Sequence, residues 1–125
     1  MAETIKPICV LDDDSSVLNS LQELLASDGF AAKTFDSPDE FLVYAQERPV
    51  KLAVIDVWMP ATNGIEVLAR LQEFSPDTRV IMITAREEAA IRAAALAGGA
   101  LAFIVKPFDD EEFLALVRNA LRKAA

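Results

Sequence analysis

Residues 52–64 read LAVIDVWMPATNG. The predicted strand covers residues 51–55 and ends directly at the carboxylate of Asp56. A loop that contains proline and glycine follows over residues 57–64. Beyond the loop, apolar residues recur at helical spacing: Ile65, Val67, Leu68 and Leu71. This stretch therefore predicts a strand, a loop and a helix in succession, with an acidic residue where the strand ends.

The same unit of strand and helix recurs along the chain. Further strands are predicted at residues 5–11, 31–35, 79–83 and 100–105, and the last two helices at residues 87–97 and 109–125. Three helix starts carry residues typical of N-caps: Asp14, Ser37 and Asp109. The strands are continuous apolar runs, which is typical of strands buried on both faces. The sequence thus predicts an α/β fold, with a doubly wound, five-stranded parallel sheet between layers of helices.

Composition limits the possible functions. The 125 residues fit one domain, predicted over residues 1–125. The formal net charge of −8 argues against direct nucleic-acid binding and against docking on an anionic membrane. The absence of histidine excludes Ser-His-Asp catalysis, histidine-ligated zinc and a phosphohistidine carrier. Because no apolar run approaches the length of a membrane span, we expect a cytoplasmic protein.

The residues that end the predicted strands are chemically distinctive. Asp12 and Asp13 follow the first strand, Asp56 the third, Thr84 the fourth and Lys106 the fifth. Ligands of doubly wound sheets bind at the carboxyl ends of the strands, so we expect these side chains to meet. Three neighbouring carboxylates repel one another, and Mg²⁺ together with the lysine ammonium would balance them. The sequence therefore predicts a Mg²⁺ site that includes the three aspartates.

Asp56 is the best candidate nucleophile of this set, because a carboxylate can attack a phosphoryl group and form an acyl phosphate. Such a transfer depends mainly on compensating the charge of the transferred oxygens, a role that suits Lys106 and the Thr84 hydroxyl. Each residue alone has an ordinary interpretation. The aspartates after the first strand are also typical of a helix start, Thr84 of a cap, and Lys106 of an exposed lysine. The chemical interpretation depends on the whole set.

Four segments together resemble one known family, the receiver domain of two-component response regulators. They are residues 8–14 (ICVLDDD), 52–64 (LAVIDVWMPATNG), 80–85 (VIMITA) and 99–107 (GALAFIVKP). The resemblance extends over essentially the whole chain. It implies a flavodoxin-like (βα)5 arrangement with strand order 2-1-3-4-5.

The resemblance also implies roles for the acidic residues. Asp56 would be the phosphoacceptor, and Asp12 and Asp13 the acidic pair, of which Asp13 is favoured as the direct metal ligand. The backbone carbonyl of Trp58 would be a further ligand. The implied cofactor is Mg²⁺, with Mn²⁺ as a substitute. Lys106 would stabilise the phosphoryl group, and the Lys106–Pro107 peptide bond would be cis.

Further positions correspond to the family's switch. Thr84 matches the switch hydroxyl that also stabilises the phosphoryl group. Phe103 matches the switch aromatic, which moves inward when Thr84 turns toward the phosphoryl group, although phenylalanine is equally an ordinary core residue. Trp58 and Arg86 occupy positions that modulate the lifetime of the phosphoryl group through water access. Whether Arg86 shields that group or stays solvated is open at this point.

The implied phosphodonor is a histidine kinase or a histidine phosphotransfer protein. The implied output is a downstream protein or a homodimer, through the face of the fourth helix, fifth strand and fifth helix. We expect a stand-alone receiver that is not an enzyme, because it would catalyse only its own phosphorylation and dephosphorylation. The alternatives are part of a longer DNA-binding regulator or hybrid kinase, and an inactive interaction module. A phosphatase with an aspartate nucleophile is disfavoured, because its second acid would fall at Trp58.

Overall fold

The computed structural model describes residues 6–60 and 62–122, and strands and helices alternate throughout. The elements are β1 (Ile8–Leu11), α1 (Ser15–Ser27), β2 (Ala32–Phe35), α2 (Pro38–Glu47), β3 (Leu52–Asp56), α3 (Gly64–Phe74), β4 (Arg79–Thr84), α4 (Ala89–Ala97), β5 (Ala102–Val105) and α5 (Asp110–Arg122). The strands form one parallel sheet in the order β2-β1-β3-β4-β5. The predicted fold class and strand order are confirmed.

The ends of several elements differ from the prediction. β1 begins at Ile8 rather than at residue 5, because Pro7 has no backbone N–H to contribute to a central strand. Strands β2 and β5 also begin later than predicted, whereas β3 and β4 extend to Asp56 and Thr84. Ile5 and Lys123, which the sequence placed in the first strand and the last helix, lie outside the described residues.

Asp56 and Thr84 are therefore members of the sheet and not of the loops that follow. Asp56 pairs with Ile83 of β4, and Thr84 pairs with Val105 of β5. Pairing with one neighbouring strand holds the backbone of each residue: β4 for Asp56 and β5 for Thr84. The side chains of Asp56 and Thr84 are therefore attached to backbone that the sheet holds in place.

Local capping explains where the helices begin. The carboxylate of Asp14 accepts a hydrogen bond of 2.9 Å from the Ser16 N–H, and Ser37 accepts from the Glu40 N–H. Asp109 accepts from two N–H groups of the first turn of α5. These are the three predicted caps, and each satisfies donors that the helix itself leaves unpaired. Helix α4 starts at Ala89, two residues later than predicted, with Glu88 at the N-cap position.

The sheet separates two apolar cores. One lies against α2, α3 and α4, and we call it the α2–α4 core; its buried members include Leu11, Phe41, Ile55, Leu68, Leu71, Met82, Ala95 and Phe103. The other, the α1–α5 core, includes Val10, Leu25, Val54, Ile81, Ile83, Ile104, Phe113 and Val117. Burying each large apolar side chain contributes roughly 1.5–3 kcal/mol, so both layers hold the sheet firmly. Among the described helices, none is long and apolar enough to cross a membrane.

Candidate functional site

Three aspartates meet at the carboxyl ends of β1 and β3. Asp12 and Asp56 are 1% and 4% exposed, whereas Asp13 is exposed. One carboxylate oxygen of each lies within 4.8 Å of the others. Asp12 is fixed in place, because its Oδ1 accepts a hydrogen bond of 3.0 Å from the Asp14 N–H. The structure thus brings together the acidic residues that the sequence singled out.

The loop between β3 and α3 is held closed by contacts between its two ends. The N–H of Gly64 donates to the carbonyl of Val57 at 2.8 Å, and Trp58 forms an isolated bridge with Asn63. A Cβ atom on Gly64 would overlap the main-chain carbonyl of Asp56. Glycine is needed here because the start of α3 approaches the backbone that carries the central carboxylate.

Lys106 enters the cluster from the end of β5. Its Nζ donates to Asp12 Oδ2 at 3.0 Å and lies 3.6 Å from Asp56 Oδ1. The Lys106–Pro107 peptide bond is cis. Because the ammonium contacts both buried carboxylates, it compensates part of their charge without closing the site, in which Asp13 faces solvent.

Burial and the neighbouring charges shift the pKa values of Asp56 and Lys106. Burial, with the negative charges of Asp12 and Asp13, raises the pKa of Asp56 to about 6, against the opposing effect of Lys106. Burial alone would lower the pKa of Lys106, but the hydrogen bond to Asp12 and the charges of Asp56 and Asp12 raise it. At neutral pH, Asp56 is therefore mostly ionised beside a charged lysine, and the excess negative charge suits a cation with oxygen ligands.

Thr84 lies fully buried at the end of β4. Its hydroxyl donates to the carbonyl of Arg86 at 3.0 Å and accepts from the Arg86 N–H at 3.1 Å. In this arrangement the hydroxyl binds the loop of residues 85–88. A rotation toward Asp56 would therefore release two contacts in that loop.

Arg86 covers the aromatic ring of Trp58. The guanidinium carbon lies 4.5 Å from the ring centroid, and Nη2 lies 3.8 Å from Glu88 Oε2. Trp58 is partly buried, and its buried Nε1 has no hydrogen-bond acceptor. Two residues that flank Asp56 and Thr84 in sequence thus stack on one another, a contact that sequence reasoning left open.

Phe103 is 8% exposed and belongs to the α2–α4 core. The guanidinium of Arg92, in α4, lies 5.0 Å from its ring centroid. Sequence reasoning did not single out Arg92. The available signal was that α4 reads AAIRAAALA, in which this arginine is the one charged residue.

Comparisons with known proteins agree on one family. The family model described as the response regulator receiver domain matches residues 8–118. The response regulator protein TodT of Pseudomonas putida is 32% identical over 124 residues, which cover 99% of this chain and 55% of TodT. The transcriptional regulatory protein FixJ of Bradyrhizobium diazoefficiens is 33% identical over 94% of this chain and 57% of FixJ. The chain spans about half the length of the curated relatives it matches.

Solved structures agree with the family model. The beryllofluoride-activated NtrC4 receiver domain dimer has a TM-score of 0.92 at 31% identity, covering 97% of this chain and 100% of that one. A CheY-like receiver domain protein from Methanospirillum hungatei has a TM-score of 0.91 at 26% identity, covering 97% of each chain.

Proposed function

The chain belongs to the family of response regulator receiver domains, and on that basis we propose that it accepts a phosphoryl group on the carboxylate of Asp56. It is a receiver domain of a two-component response regulator. The observation that carries the proposal is the burial of Asp56 beside Asp12 and Asp13, with the ammonium of Lys106 3.6 Å from Oδ1. A carboxylate with a pKa of about 6 is mostly ionised at neutral pH and is thus competent as a nucleophile.

In the proposed reaction, an oxygen of Asp56 attacks the phosphorus of the donor. The new O–P bond forms while the P–N bond to the donor imidazole breaks, and the imidazole leaves. With acetyl phosphate, a P–O bond breaks instead and acetate leaves. The Lys106 ammonium lies where it can accompany the transferred negative charge, because it contacts Asp56 and Asp12 together.

The donor set of the site fits a magnesium ion. Asp12, Asp13 and Asp56 offer carboxylate oxygens, the ligands that Mg²⁺ and Mn²⁺ prefer, and receiver domains normally bind Mg²⁺ at such an acidic pocket. The family resemblance implies the main-chain carbonyl of Trp58, two residues after Asp56, as a further ligand. When bound, the ion supplies positive charge that offsets the carboxylates and the phosphoryl oxygens.

Thr84 is the proposed link from the phosphoryl group to the surface. Turning its hydroxyl toward a phosphorylated Asp56 would exchange the two contacts with Arg86 for one with a phosphoryl oxygen. The loop of residues 85–88 would then move, and α4 follows directly after it. This is a shift between two conformations, driven by the difference in their contacts with the phosphoryl group.

The proposed partners follow from the family. The phosphodonor is a histidine kinase or a histidine phosphotransfer protein, and the output surface is the face of α4, β5 and α5. Its occupant is a downstream protein or a second copy, and the NtrC4 relative is described as a dimer. The net charge of −8 supports the absence of direct nucleic-acid or membrane contacts. On this proposal the chain is cytoplasmic and is a signalling phosphoacceptor rather than an enzyme.

Arg86 and Trp58 form the proposed barrier to water. Trp58 and Arg86 lie two residues after Asp56 and Thr84 in sequence, and on this proposal their stack screens one side of the aspartyl phosphate. We expect Arg86→Ala and Trp58→Ala each to accelerate loss of the phosphoryl group, roughly two- to fivefold for a cation–π contact at a partly exposed site.

The decay of the adduct is measured by intact mass after removal of the donor. The double variant should decay no faster than the faster single variant, because each change breaks the same contact. Arg48→Ala is the matched control, since Arg48 stacks on Tyr44 at a centroid distance of 4.9 Å and lies outside the site. Unchanged or slower decay in both single variants would contradict this role.

The acceptor itself is tested by intact mass after incubation with acetyl phosphate, with and without Mg²⁺. We expect one Mg²⁺-dependent phosphoryl adduct on the unmodified chain and on Asp36→Asn, an exposed aspartate after β2. Asp56→Asn should show none. An adduct that persists on Asp56→Asn would move the acceptor elsewhere, and no adduct on any protein would favour an interaction module.

A second candidate function is favoured by the length of the relatives. In that case the receiver controls a transcription-regulating segment of a longer polypeptide, as the name of FixJ suggests for that protein. The full-length coding sequence distinguishes the two candidates, because only the second requires a further domain.

A further inference from the structure

Asn63 and Gly64 form the one Asn-Gly pair of the sequence. The other asparagines, Asn19 and Asn119, precede a serine and an alanine. The side chain of an asparagine is open to attack by the main-chain nitrogen of the next residue, and a glycine there leaves the approach unhindered because it has no Cβ atom. The pair is therefore the position at which this chain most readily loses a side-chain amide.

The fold has a structural use for both members of the pair. Asn63 is the N-cap of α3, and its Oδ1 accepts a hydrogen bond of 2.7 Å from the Ile65 N–H. Gly64 is required because α3 begins against the main-chain carbonyl of Asp56. The two roles fall on consecutive residues, so the reactive pair lies directly beside the backbone that carries the central carboxylate.

The same contacts restrain the reaction between the two residues. Attack requires that the Gly64 nitrogen lose its proton and reach the side-chain carbonyl carbon of Asn63. In the folded chain Gly64 is buried, and its N–H donates to the carbonyl of Val57 at 2.8 Å. The Asn63 side chain is held by Ile65, and its main-chain carbonyl accepts from the Glu66 N–H at 2.9 Å. Both reacting groups are thus engaged elsewhere.

We propose that Asn63 is a site of spontaneous deamidation whose rate is set by these contacts. The Gly64 nitrogen gives its proton to a base in the solvent and bonds to the side-chain carbonyl carbon of Asn63. The bond from that carbon to the amide nitrogen breaks, and the nitrogen takes up a proton and leaves as ammonia. Water then opens the cyclic imide at either carbonyl, which gives aspartate or isoaspartate at position 63.

The isoaspartate product would disturb the acidic site. Its main chain runs through the side-chain carbon, so the chain is longer by a methylene group where α3 begins. A Cβ atom on Gly64 would already overlap the carbonyl of Asp56, and the inserted group has no more room than that atom. The modified chain should therefore lose Mg²⁺-dependent stabilisation, because the backbone of Asp56 is displaced.

Mg²⁺ should slow the reaction, and this part rests on the proposed function. Val57, whose carbonyl accepts the Gly64 proton, lies between Asp56 and Trp58, two of the proposed sources of Mg²⁺ ligands. Trp58 also forms the bridge with Asn63. An ion bound to the closed arrangement lowers the population in which the Gly64 nitrogen is released. The protein without the ion would accordingly age faster than the protein with it.

The experiment follows deamidation in a mildly alkaline buffer for the folded chain in EDTA, the folded chain with Mg²⁺, and the chain unfolded in urea. Peptide mapping by mass spectrometry locates each conversion of amide to acid. Asn63 should react roughly 10- to 100-fold more slowly in the folded chain than in urea, because two hydrogen bonds must open first. Mg²⁺ at about ten times its Kd should slow the folded chain roughly tenfold further.

Three controls accompany the measurement. Asn63→Ser removes the reacting amide but retains a capping oxygen, so it should fold and show no conversion at this position. Asn119, exposed in α5, is the internal control and should react more slowly than Asn63 in urea, because alanine follows it. Asp56→Asn should retain the protection of Asn63 in EDTA and lose most of the effect of Mg²⁺.

An Asn63 that reacts as fast in the folded chain as in urea would overturn the proposal, as would an Asn63 that reacts no faster than Asn119 in urea. A folded rate that Mg²⁺ leaves unchanged, in a chain that forms the phosphoryl adduct, would overturn the role of the ion. The proposed function fails separately, if no adduct forms. The comparison of folded and unfolded chains in EDTA then still decides the site of deamidation.

Discussion

Replacing Asp56 with asparagine should stabilise the protein in the absence of a divalent cation. The pKa of Asp56 is about 6 in the folded chain, against an ordinary value of 3.8, because burial and the charges of Asp12 and Asp13 disfavour its ionised form. The folded protein therefore holds a proton that the unfolded chain releases between these pH values. The stability that this proton provides is fully present below about pH 4 and is lost as the pH rises through about 6.

The size of the effect follows from the shift. A difference of about two pKa units corresponds to roughly 3 kcal/mol, at about 1.4 kcal/mol per unit. Asparagine avoids this loss, but it also gives up the attraction to Lys106, which keeps Asp12 as its nearer partner. We therefore expect Asp56→Asn to raise the free energy of unfolding by about 1–3 kcal/mol near pH 7.5 in EDTA, and by much less near pH 4.

Urea unfolding at both pH values, with and without Mg²⁺, measures this directly. Mg²⁺ should stabilise the unmodified chain more than the variant, because binding to the folded state adds to its stability. Asp36→Asn controls for a loss of net negative charge at an exposed position. An Asp56→Asn variant that is no more stable near pH 7.5 in EDTA would refute the electrostatic reasoning, and with it the conclusion that burial and the neighbouring carboxylates disfavour the ionised form of Asp56.

Three further outcomes are expected. Gly64→Ala should cost about 1–3 kcal/mol in urea unfolding and weaken Mg²⁺ binding, since the added Cβ would displace the backbone of Asp56; unchanged values for both would contradict the close approach. Arg118→Ala should lower the unfolding free energy slightly, and less at high salt, because its guanidinium binds both carboxylate oxygens of Asp28 at 2.8 and 3.0 Å; a loss independent of salt would point to packing instead. Cys9 should resist iodoacetamide in the native protein, because burial raises its pKa to about 12, and should react fully in denaturant; native alkylation seen by intact mass would contradict its position in the core.

The sequence alone was sufficient to predict which residues come together at the site. Parallel strands end at one edge of the sheet, so apolar runs that stop at Asp12, Asp56, Thr84 and Lys106 had to bring those residues to one side. The caps at Asp14, Ser37 and Asp109 were equally predictable, because capping depends on residues close in sequence. Both inferences need only local patterns and one rule of topology.

The contacts of long side chains were not predictable in the same way. Arg86 reaches Trp58, and Arg92 reaches Phe103, across loops whose geometry no periodicity describes. The choice among several rotamers depends on which ring lies within reach after the sheet has formed. The extension of β3 to Asp56 depends likewise on pairing with a neighbouring strand, which residue 56 alone does not reveal. The chemical roles of the site residues stay predictions until the phosphoryl adduct is measured.

The division of the interior by the sheet has a consequence for how such a chain can diversify. Phe103 and Ile104 are consecutive in β5, yet one belongs to the α2–α4 core and the other to the α1–α5 core. Substitutions that repack one core affect the other core only through the backbone of the sheet, which the hydrogen bonds between strands hold fixed. Substitutions can therefore repack the α1–α5 core while leaving the α2–α4 core intact, so the two faces of one sheet are free to change independently.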